Sequence, residues 1–379
     1  MKRAKIMSFV LSWSNAVGVN YAFCAVLAVA TGFVASHHAC AQTSEYIVTE
    51  LSEEDASQVP CKLNNLGDIV GRKNGALEGA PQAVTWNHSR LTSKHLGALP
   101  GGDYSSASDI NDAGEVVGVS NTDKAIVPFV WTAKGGLRRV PLLPGDSCGE
   151  AIAVNKHGHI AGCSSGQNGE RAFIWTRQAE VSDLGVLAGG EYSRARDLND
   201  SDEVVGVSAS SAGDRAVLWT KSRSAIDLGT LPGDWGSEAV AINNAGDVVG
   251  YSKGPRGMRA VLWTKASGIQ DLGVLPGGDS SQAMDISDSG QIVGSSTSAL
   301  GEHAFIWTKR AGMVDLNNGG SADLDVVFIE AHAINSRGQI LVMGISTDEG
   351  EMKGLTASRD NQHCAPAPPS TFLLTPTAP

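Results

Sequence analysis

The chain has 379 residues, 45 of them Gly and 14 Pro, with 42% apolar, 18% charged and 6% aromatic side chains. Gly is above its usual ~7%, yet Gly and Pro together stay below the ~25–30% of low-complexity chains, which predicts a folded, turn-rich protein. The formal charge is −11, and since Lys2, Arg3 and Lys5 are the only charges before residue 42, the remainder carries 26 basic against 40 acidic side chains, a balance that argues against nucleic acid or anionic lipid as partner.

The N-terminus begins basic and then has no Asp, Glu, Lys or Arg over residues 6–36, with its most apolar stretch at 22–35 and the small-residue site Ala39-Cys40-Ala41 just beyond. That order predicts a secretory signal peptide, residues 1–41, cleaved after Ala41. An uncleaved anchor and lipidation at Cys40 are the alternatives. The mature chain is then expected in the periplasm, at the cell surface or in the medium, with no membrane span of its own. Cys61, Cys148, Cys163 and Cys364 would mature in an oxidising space.

Residues 42–363 form a repeat. Trp86, Trp131, Trp175, Trp219, Trp263 and Trp307 lie 45, 44, 44, 44 and 44 residues apart, each closing a short apolar run such as AVTW or AFIW. Upstream stands a second run ending in Gly, as in EVVG at 115–118 and QIVG at 291–294, preceded by a turn of the INDAG or INNAG kind. After the Trp comes DLGVLPGG or a variant, as at 95–102, 183–190, 227–234 and 271–278. Each unit holds four segments of strand length bounded by turn residues, and the Asn-x-x-Gly turn is too short for a parallel crossover. Four antiparallel strands per ~40–50 residues is the period of a β-propeller blade, with a parallel β-helix as the runner-up.

The expected fold is all-β: a seven-bladed β-propeller of 28 strands. Residues 46–51 pair with the C-terminal blade to close the ring, and residues 353–358 supply its third strand, with Ala357 at the Trp position. Cys148 and Cys163 flank one hairpin close enough to pair, and Cys61 with Cys364 would staple the ring shut; four free, buried thiols are the alternative. The Pro- and Thr-rich residues 364–379 read as a flexible tail.

The string His303-Ala304-Phe305-Ile306-Trp307, with DLGxLPGG, the INxxGxVVG core and a signal peptide, resembles the HAF-repeat family of probable extracellular repeat proteins over about residues 46–358. The resemblance implies a bacterial, exported protein without an assigned activity. Most copies replace the His, with Arg171, Arg215 and Arg259 at that position. This weighs against chemistry that needs a histidine in every repeat.

Binding is expected on the propeller face that carries the inter-blade loops and the hairpins between second and third strands, where the repeats vary most. Those loops present Asp103 and Tyr104, Glu191 and Tyr192, Asp234 and Trp235, and Asp279. Aromatic rings beside acids suit stacking on sugars or anchoring a protein partner; packing of the rings on neighbouring blades, with acids keeping the rim wet, is the plainer reading.

No cofactor or metal is expected. The turn at 109–114 lacks the ligands of a calcium loop, and His157 and His159 have no third ligand nearby in sequence. No nucleophile elbow or HExxH motif appears, so no catalytic residue is assigned. Asp109, Asp197 and Asp285 share one repeat position, with Ala153 and Ala241 between them, and would line a solvated channel. The expected function is a monomeric, exported binding module for a glycan or protein outside the cytoplasm. A carbohydrate-active enzyme, hydrolase or lyase, or a structural envelope protein, is the alternative.

Overall fold

The computed structural model describes residues 40–42, 46–51, 58–73, 79–87, 93–167, 169–178, 180–319, 325–347 and 370–377. Seven antiparallel sheets stand round one ring. Blades 1 to 6 are continuous in sequence, spanning residues 58–97, 105–139, 148–183, 193–227, 236–271 and 281–315, with four strands each in sequential order. Their first strands lie against one another round the axis and the later strands step outward.

The doubled apolar residues of each second strand explain the packing. Successive side chains of a strand point to opposite faces, so the first apolar residue of the pair meets the preceding blade and the second meets the following one. Val204 joins a cluster with blade 3, for example, and Val205 one with blade 5. Seven such apolar clusters fill the seven interfaces. The repeated Trp belongs to them: Trp86, Trp219, Trp263 and Trp307 are at most 6% exposed, and each pairs with the first residue of its second strand, as Trp219 does with Val204.

Each first strand carries a one-residue bulge, between Ala107 and Asp109 in blade 2 and between Ala195 and Asp197 in blade 4. The glycine that ends the VVG run sits opposite. A Cβ at Gly118 would lie 2.0 Å from the Ser106 carbonyl oxygen, and one at Gly206 would lie 1.9 Å from that of Arg194. The bulge and the glycine are therefore one device, which turns the next residue of the inner strand toward the axis.

Blade 7 closes the ring. Val326–Ile334 and Ile340–Ser346 are followed outward by Ser370–Pro376, then by Tyr46–Glu50 from the other end of the chain, and by Cys40–Gln42 outside it. The expected closure by the N-terminal strand is present, and Cys40–Gln42 adds a strand to the 28 expected. The third strand, however, is Ser370–Pro376, drawn from the segment expected to be a flexible tail; residues 353–358 lie outside the described residues. Leu374 takes the Trp position opposite Ile340. Phe372, Leu373 and Leu374 are 5%, 5% and 1% exposed, so this short apolar run buries as the other third strands do, although Pro and Thr flank it.

Cys61, Cys148 and Cys163 carry free thiols, so the Cys148–Cys163 bridge is not formed. Cys148 pairs in register with Ser165, while Cys163 faces Glu150, and the two thiols lie against the carbonyls of different strands, Ser165 and Ala195. The Cys61 thiol is 3.1 Å from the Ala107 carbonyl of blade 2, and Cys364 lies outside the described residues. Burial, foremost, pushes the Cys61 and Cys163 thiols up to about 12. No helix among the described residues is long and apolar enough to cross a membrane.

Candidate functional site

The propeller has two unlike faces. On one, the Asn-x-x-Gly turns join first to second strands. Asn111 accepts the backbone N–H groups of Ala113 and Glu115 with its Oδ1, while its Nδ2 donates to the carbonyl of Asn155 in the next blade at 3.0 Å. Asn64, Asn155, Asn199, Asn243 and Asn335 repeat this link. The motif therefore both shapes each turn and straps it to its neighbour. Ser287 stands in the same place in blade 6, where its hydroxyl reaches Ser289 and Gln291 instead.

Just inside this face lies a polar cavity of about 190 Å³ at the mouth of the central channel. Its floor is formed by Lys62 and the three aspartates of the shared repeat position. Asp197 accepts the N–H of Leu198 at 2.8 Å and, across the interface, that of Ile242 at 2.8 Å. Asp285 does the same for Ile286 and Ile334, and Asp109 for Ile110 and Val154. Each carboxylate so pairs two inward-facing amides, and the neighbouring blade needs only Ala at that position.

The ammonium of Lys62 lies 3.2 Å from Asp285. Burial pushes Asp197 up to about 7, against the pull of Lys62. It raises Asp109 also. Lys62 itself is held well above the usual lysine range, because the three aspartates outweigh its burial.

The opposite face carries the seven ligand-binding candidates expected from sequence. Asp103 accepts a hydrogen bond from Asn121 at 2.7 Å, Asp234 from Ser252 at 2.7 Å, and Asp279 from Thr297 at 3.0 Å. These three acids fasten their inter-blade loops to second strands. Tyr104 is half-buried and Glu191 is exposed. Asp103, Tyr104 and Asp279 belong to other sectors of the rim than Tyr192 and Trp235.

Tyr192 and Trp235 are brought together through one hairpin of blade 4. The Tyr192 hydroxyl donates to Asp214 at 2.5 Å, and the adjoining Arg215 donates to the Trp235 carbonyl at 2.6 Å. The Trp235 side chain keeps 53% exposure, unlike the buried Trp of the repeats. Sequence reasoning missed Arg194, Arg196, Asp214, Glu238 and Tyr251, which surround this sector. They come from three strands and one hairpin, and the pairs they form join residues of different blades, which no local sequence pattern signals.

Among the described residues no group of three or more His, Cys, Asp and Glu side chains is arranged to hold a metal ion. His159 instead meets Asp202 at 2.6 Å, and His157 lies beside it with ring centroids 5.8 Å apart.

Fold and site together define a seven-bladed propeller with a strapped turn face and a varied loop face. No family model matches the sequence, and no curated protein matches it. Among solved structures it is similar to an oligogalacturonate lyase in complex with manganese, at 11% identity and a TM-score of 0.57, covering 90% of this chain and 96% of that one. An oligogalacturonate lyase from Vibrio parahaemolyticus gives 10% identity and a TM-score of 0.53, covering 89% and 96%. TolB from Acinetobacter baumannii gives 10% identity and a TM-score of 0.44, with 83% of this chain covering 65% of that one. At such identity the likeness is one of fold.

Proposed function

We propose that this protein is an exported binding module of the HAF-repeat kind, which captures a glycan or protein partner outside the cytoplasm on its loop face. The observation that carries the reading is Trp235, a large aromatic side chain 53% exposed in a loop whose backbone is fixed by Arg215. An exposed, pre-positioned aromatic loses little freedom on binding, which is why such side chains dominate recognition surfaces. The signal-like N-terminus supports work outside the cytoplasm.

The test is retention of the protein on immobilised envelope polysaccharides and envelope proteins, compared with a Trp235→Ala, Tyr192→Ala double variant. The variant is expected to lose retention while melting at the same temperature; equal retention would remove the loop face as the contact surface. One observation favours an enzyme instead, the Asp197 carboxyl poised at about 7 in the channel, a value suited to general acid–base chemistry. Product release from a retained polysaccharide, abolished by Asp197→Asn and untouched by the aromatic variant, would select that reading.

A further inference from the structure

Beside Trp235, the loop face carries a set of paired charges that link blades 3, 4 and 5. Arg194 and Arg196, on the first strand of blade 4, donate through Nε to Glu170 at 2.5 Å and to Glu238 at 2.6 Å. Glu238 also accepts the Tyr251 hydroxyl at 2.6 Å. The two arginine side chains remain 50% and 42% exposed. With Nε committed, the terminal amino groups of each guanidinium supply the open donors. The carboxylates supply the acceptors alongside. Burial, and then the Asp214 carboxylate to which it donates, pushes the Tyr192 hydroxyl up to about 12, so it stays protonated at neutral pH.

We infer that this cluster binds an uncharged, polyhydroxylated ligand, a neutral glycan, with Trp235 as the stacking platform; the inference rests on the loop face being the binding surface. Sugar hydroxyls donate and accept at once, so they need donors and acceptors side by side at fixed spacing. Two guanidinium groups tied to two carboxylates provide that array, already oriented and with their charges cancelled. A polyanion would meet Glu170, Glu238 and Asp214, and a polycation would meet both arginines. Either would bring a like charge against one member of each pair, at a cost in repulsion that a neutral ligand does not meet.

Isothermal titration of the protein with hexasaccharides tests this: a neutral panel of gluco-, manno- and xylo-oligomers, the acidic galacturonate hexamer and the cationic glucosamine hexamer. At least one neutral hexamer is expected to bind, the charged ones not. Trp235→Ala and Arg196→Gln should each weaken binding by about tenfold or more, the loss typical of a central contact. Leu300→Ala, on another hairpin of this face, should leave it unchanged. Trp235-dependent binding of a charged hexamer alone would overturn the neutral class while sparing the loop-face reading. Failure of every hexamer overturns the inference, and the reading then stands or falls on the retention assay with immobilised proteins.

Discussion

Asp197 shows how much chemistry a single repeat position can hold. Burial is the main cause of its rise from 3.8 to about 7, with the neighbouring Asp285 adding to it and Lys62 opposing. The folded protein therefore keeps a proton that the unfolded chain gives up, and the stability this lends is complete below about pH 4 and gone above about pH 7. Asp109 is shifted in the same direction. Melting temperature should fall from pH 5 to pH 8, and fall less in Asp197→Asn; a melt that rises over this range would refute the assignment. The His-Ala-Phe string also has a residue-level explanation. His303 pairs with Asp315 at 2.6 Å, Arg259 with Asp271 at 3.3 Å and Arg215 with Asp227 at 3.8 Å. In these three blades histidine and arginine exchange because each puts a nitrogen donor opposite the aspartate of the next strand, whereas Arg171 donates to the Glu170 and Glu191 carbonyls. Among the described first-to-second-strand turns Ser287 alone lacks the amide strap, so Ser287→Asn should add about 0.5–1.5 kcal/mol in urea unfolding, the net worth of one hydrogen bond.

Among the elements, the blade was legible because its signals are local. The Asn-x-x-Gly turn, the VVG run and the closing Trp all act within one unit, and the positive φ of 74° at Gly114 is what such a turn demands. The third strand of blade 7 was not legible. It carries no Trp, it stands apart from its partner strands in sequence, and its flanking prolines look like a tail. Its apolar run TFLLTP alone marks it as a strand. A chain ending at residue 369 should therefore lose cooperative thermal unfolding, since Phe372, Leu373 and Leu374 would leave two apolar clusters open. A sharp, unshifted transition would show that the strand is dispensable. The binding sector was half legible for the same reason. Tyr192 and Trp235 stand out in their loops, whereas Arg194 acquires its partner only when blade 3 is laid beside blade 4, and Arg196 when blade 5 is.

For the whole molecule, the channel charges are the closure seen from inside. Lys62 lies in blade 1 and its partner Asp285 in blade 6, so the pair forms across blade 7, the one blade built from both ends of the chain. Lys62→Met should cost about 1–3 kcal/mol in urea unfolding, below the full loss for a buried pair because the lysine keeps some exposure. It should also move Asp197 further up, steepening the fall of stability with pH. An alternation of Asp and Ala can tile only an even ring. Seven is odd, and the mismatch must fall somewhere; it falls on Lys62. That one off-pattern residue gives a nearly symmetric ring an origin from which every blade can be counted. Without the blade of Lys62 the remaining six positions would alternate round a ring without a break, so this single lysine marks the blade that makes the number odd.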